Sequence, residues 1–117
     1  MSAQELLRIV DLVVGQVAHW TPQRWAAPAS DPEVTRADLV HGLVQRLADL
    51  AAEAEGQPRR TVPRLDSDLA LPNQLQVVAM DLVTAGASDL LTHAAAADVA
   101  EVRAQLAPAD RPDASGG

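Results

Sequence analysis

Leucine and valine recur once per helical turn in four stretches of this chain, and that period of about 3.6 residues commits most of the sequence to amphipathic helices. In residues 3–19, Leu6, Leu7, Ile9, Val10, Val13, Val14 and Val17 share one broad arc. Gln4, Arg8, Asp11, Gly15 and Gln16 lie opposite, and Leu12 alone among the large apolar residues falls on that polar side. A second helix opens at Asp31-Pro32 or at Thr35, where Thr35 and Asp38 have capping-box spacing, and Gly56 fits its C-terminal stop. Its apolar face carries Leu39, Val40, Leu43, Val44, Leu47, Leu50, Ala51 and Ala54, and its polar face carries Asp38, His41, Gln45, Arg46 and Asp49.

A third helix starts near Pro72, ends at Gly86 and faces inward with Leu75, Val78, Ala79, Leu82 and Val83, leaving Val77 and Met80 pointing away. The fourth is capped by Ser88 and stopped by Pro108, with a narrower seam of Leu91, Ala95, Val99, Val102 and Leu106. Thr21-Pro22 adds the signature of one short helical turn over 22–27, ended by Pro28.

The chain contains no Phe or Tyr, only Trp20 and Trp25 as aromatics, so Leu, Val and Ala must build the core. Such small side chains suit helices packed at the short end of the usual 8–10 Å or so. The expected fold is all-α: a four-helix bundle-like single domain with a long loop over 56–71 between the second and third helices. Residues 1–108 form that domain, and the polar, small-residue stretch 109–117 is expected to be a disordered tail. Two helical hairpins joined by the long connection are the expected arrangement, with Val62, Leu65 and Leu69 pinning the connection to the surface.

A net charge of −7 disfavours phosphate backbones and anionic membrane surfaces, and no run of 18 or more apolar residues suggests a membrane span. The opening residues lack a secretory pattern, so a cytoplasmic location is expected. All nine basic residues are Arg and Ile9 is the single isoleucine, a vocabulary like that of GC-rich bacterial genomes. Without Cys there is neither a thiol nucleophile nor a thiolate zinc site.

No residue set points to catalysis, a metal or a cofactor. His19, His41 and His93 lack the spacing that puts two ligands on one helical turn. Asp38 with His41, and Asp89 with His93, are ordinary one-turn neighbours on helix surfaces. Asp66-Ser67-Asp68 begins like a calcium loop, but Ala70, Leu71 and Pro72 take the following ligand positions, which favours a local role for Ser67 or Asp68 in hydrogen-bonding backbone amides. The third and fourth helices loosely resemble a helix-turn-helix, yet Ala79 and Gly86 stand too far apart and Asp89, Asp98 and Glu101 would repel phosphates.

Two candidate sites remain. Arg59, Arg60 and Arg64, with Trp25 nearby, are candidates to hold an anionic ligand over the bundle end, against the alternative that they pair with surface carboxylates. Leu12, Trp20, Trp25, Val77 and Met80 are candidates for a partner interface. For the two Trp the competing role is an end plug whose indole N–H groups sit at the wet rim. The functional expectation is a non-catalytic helical protein that binds another protein or itself as a homodimer. The alternative is a small-ligand protein or enzyme using the 56–71 loop, and transcriptional regulation is a weaker third.

Overall fold

Caps set the helix limits. The computed structural model describes residues 3–106, so the boundary expected at 108 and the tail expected over 109–117 lie outside the described residues. Five helices and a 3₁₀ turn are present there: α1 (Ala3–Val17), α2 (Pro22–Ala26), α3 (Arg36–Glu55), the 3₁₀ turn (Asp68–Ala70), α4 (Leu71–Thr84) and α5 (Asp89–Gln105). The architecture is all-α, with the short α2 added to the four long helices.

Thr21 caps α2, Thr35 caps α3 and Ser88 caps α5, each hydroxyl accepting from a backbone N–H three residues on. Thr35 rather than Asp31-Pro32 therefore begins α3. At the other ends, Gly56 and Gly86 take left-handed φ values of 68° and 69°. Each reverses the chain so that the next residue donates back, Gln57 N to Ala52 O at 2.9 Å and Ala87 N to Leu82 O at 3.4 Å.

Ala54 of α3 and Leu91 of α5 lie outside the core, which is otherwise built from the expected apolar stripes. Leu6, Val10, Val13 and Val17 of α1 meet Val40, Leu43, Val44 and Leu47 of α3 there, together with Leu75 and Leu82 of α4 and Val99 and Val102 of α5. Leu7, Ile9 and Val14 are only half-buried at its edge.

Neighbour relations differ from the expected hairpins. α1 packs on α4 and α5, and α3 packs on the same two, while the sequence-consecutive pairs α1/α3 and α4/α5 scarcely touch. Chain direction explains this. α1 ends and α3 begins at the end of the bundle holding α2; Ser30 N donates to Gln105 O at 3.0 Å, so α5 also finishes there, and the 3₁₀ turn contacts α2, so α4 starts there. The pairs α1/α5 and α3/α4 are thus parallel.

A parallel α3/α4 pair needs a return strap as long as α3 itself. Twenty residues of helix rise roughly 30 Å, and the extended segment 57–67 reaches about 36 Å. The 56–71 connection is long for this reason. It places α4 beside α3, and α5 must then cross the bundle to reach the open sides of α1 and α3.

Leu43, wholly buried at the centre of α3, and Leu90, 78% exposed on α5, give opposite mutational expectations. Leu43→Ala should destabilise by about 2–5 kcal/mol and Leu90→Ala by less than about 0.5 kcal/mol, read from urea denaturation midpoints.

Candidate functional site

The polar face of α3 holds the strap. Gln45 uses its side-chain amide as a backbone mimic, accepting from Val62 N at 2.7 Å and donating to Arg60 O at 2.9 Å. A second donation from the same nitrogen reaches Asp49 Oδ1 at 2.9 Å. One turn earlier, His41 Nε2 lies 3.2 Å from Val62 O, and from α4 Gln74 Nε2 donates to Pro63 O at 3.2 Å. Residues read from sequence as a solvated helix face are in large part a docking strip for the loop. Of the three expected apolar pins, only Val62 packs against the core; Leu65 and Leu69 are 44% and 53% exposed. Polar side-chain to backbone bonds do most of the pinning instead.

The three arginines of the loop do not converge. Arg64 bridges Asp38 at 2.8 Å and Asp68 at 3.3 Å, tying the strap to the first turn of α3. The guanidinium hydrogen bond from Arg64 holds the Asp38 carboxyl below its usual range against a smaller opposing effect of burial, and the Thr35 hydroxyl assists. Asp38 thus faces Arg64 rather than completing a capping box. Arg60 is exposed and borders a cavity of about 310 Å³ between the strap, α3 and α4. Arg59 is exposed, and among the described residues neither Arg59 nor Arg60 makes an ion pair.

Trp25 belongs to the core. It is fully buried and Trp20 nearly so, with ring centroids 4.9 Å apart in an edge-to-face arrangement. The Arg24 and Arg36 guanidiniums each lie 5.2 Å from the Trp20 ring centre, and Arg36 Nη1 donates to Arg24 O at 3.3 Å. This assembly plugs the bundle end, so neither Trp offers a contact surface and Trp25 does not line the loop cavity. The expected wet-rim indole is also corrected: Trp25 Nε1 is buried and finds no acceptor among the described residues. That costs about 1–3 kcal/mol, which burial of the large ring offsets.

Leu12, Val77 and Met80 remain about half exposed, as expected. Val77 and Met80 share the outer side of α4 with the exposed polar residues Asn73, Gln76 and Thr84. Leu12 has a different setting. With Ile9 it forms one wall of a groove of about 560 Å³ whose other wall is Ala96, Ala97 and Ala100 of α5. Exposed Glu5, Arg8 and His93 edge it. The groove was legible only as small residues on one side of the last helix, because pairing α5 with α1 required the crossed topology.

Ser67 Oγ accepts from Leu69 N at 3.2 Å and so starts the 3₁₀ turn, while Asp68 faces Arg64. No group of three or more metal-ligating side chains gathers among the described residues, and no helix among them is long and apolar enough to cross a membrane.

Gln45→Ala should leave α3 helical but cost about 1–2 kcal/mol, because two backbone groups lose their partner; NMR order parameters at 60–62 should fall with it. The Asp38–Arg64 tie gives a pH dependence. A carboxyl lowered in the native state contributes stability that is complete above its ordinary value near 4 and lost as pH falls through the lowered one. Order parameters over 62–66 should therefore drop as pH falls below about 4, and in Asp38→Asn they should already be low at pH 7. No family model, curated protein or solved structure matches this chain.

Proposed function

We propose that this protein is a non-catalytic interaction module that works as a homodimer, two copies meeting through the α1/α5 groove. The observation that carries the reading is that one surface presents both a knob and a hole: Leu12 and Ile9 stand beside a recess walled by Ala96, Ala97 and Ala100. A two-fold axis pairs such a surface with itself, each leucine entering the other copy's alanine-lined recess. Glu5 and Arg8 on the same edge give that surface both signs of charge, so Glu5 of one copy can face Arg8 of the other. Val77 and Met80 on the outer side of α4 stand instead among the exposed polar residues Asn73, Gln76 and Thr84.

Each copy carries a net charge of −7, so the two repel at long range. Self-association through an apolar groove should therefore strengthen with added salt, whereas docking of a cationic partner would weaken. Sedimentation equilibrium tests this. The native chain should dimerise below about 100 μM, Leu12→Glu and Ala97→Arg should give folded monomers by circular dichroism, and the Val77→Glu/Met80→Glu double variant should remain dimeric. A native chain that stays monomeric at that concentration overturns the proposal, as does dissociation by the α4 variant alone.

A further inference from the structure

The α3/α4 side of the bundle, opposite the groove, carries the cavity under the strap. Its apolar wall is built by Ala48, Ala51, Val62 and Val78, and its charged members are Arg60, Glu55 and Asp81. At about 310 Å³ it is at the small end of the roughly 300–1,000 Å³ occupied by ligand pockets.

Three features of this cavity belong together. Its lip is fixed, because the Arg60 carbonyl and the Val62 amide are both held by Gln45, Val62 O faces His41, and Pro63 O accepts from Gln74. Charges of both signs border one opening without neutralising each other: no ion pair joins Arg60 to Glu55, Asp81 or any other carboxylate among the described residues. Between them lies an apolar wall with no bulky side chain on α3, since Ala48, Ala51 and Ala52 occupy the helix face beneath the strap. A helix position filled by Leu here would close the space.

We propose that this cavity binds a small zwitterion with a short apolar side chain, a free α-amino acid of the aliphatic class. The carboxylate pairs with the Arg60 guanidinium, which can engage both oxygens at once. The ammonium is received by Asp81 and Glu55, and the aliphatic group lies against Ala48, Ala51 and Val78. The zwitterion is neutral, so binding leaves the net charge of the chain unchanged and depends only weakly on salt.

The test is an ¹⁵N-resolved NMR titration of the full chain with L-alanine, L-valine and L-leucine, using isovalerate and isoamylamine as half-ligands. Saturable shifts are expected at Ala48, Ala52, Thr61 and Val62 with at least one of the amino acids, each half-ligand binding about ten-fold more weakly or worse. Arg60→Gln and Asp81→Asn, both exposed side chains whose loss leaves the core intact, should each weaken binding about ten-fold. Arg59→Gln should change nothing. Absence of saturable shifts with all three amino acids overturns the proposal, and so does binding that survives Arg60→Gln unchanged. Because the groove lies on the other side of the bundle, Leu12→Glu should bind the same amino acid as the native chain, so this outcome is independent of the dimer.

Discussion

The pairing of the Gln45 amide with the strap backbone is the contact on which the arrangement depends. A parallel α3/α4 pair requires a segment without regular structure to run the length of the bundle, and each of its backbone groups then needs a partner or solvent. Gln45 answers that need at the midpoint by presenting one acceptor and one donor, as a neighbouring strand would. His41 and Gln74 extend the same solution toward the α4 end, and Arg64 closes it with charge. The strap in turn roofs the cavity and delivers Arg60 to its mouth.

The end plug makes a complementary point about a core poor in aromatics. With Leu, Val and Ala forming the body of the bundle, the open end near α2 needs larger pieces, and Trp20 and Trp25 supply them in perpendicular contact. Arg36 does two jobs at once there, lying over the Trp20 ring and binding a carbonyl at the end of α2, which ties the short helix to the start of α3. The Trp and Arg types that favour binding surfaces are in this case occupied with internal packing.

Much of the fold could be read in the sequence because its signals are local. The stripe Leu6, Val10, Val13 and Val17, the caps Thr35 and Ser88 and the glycine stops Gly56 and Gly86 act within a turn or two of chain. Helix partnership was not legible, since it depends on direction across the bundle, and alternate apolar faces look alike whether a neighbour is parallel or antiparallel. The sites follow the same division. Half-exposure of Leu12, Val77 and Met80 was readable from their angular positions, but whether a recess lay beside any of them was not. For the loop arginines, composition gave their concentration only; the partner of Arg64, twenty-six positions away at Asp38, is a product of the strap's path.

The four-residue turn around Gly86 has a bearing on how the chain comes together. Helical bundles commonly fold fast because adjacent helices zip up locally, and the speed reflects short loops between touching residues. Here α5 leaves that turn to meet α1 and α3 rather than α4, and α3 likewise meets neither of its helical predecessors along its length save through the short α2. The one successive pair of long helices that packs, α3 with α4, can do so only once the whole strap is laid down, and α1 meets α4 and α5 across most of the chain, so the bundle is assembled largely from contacts distant in sequence.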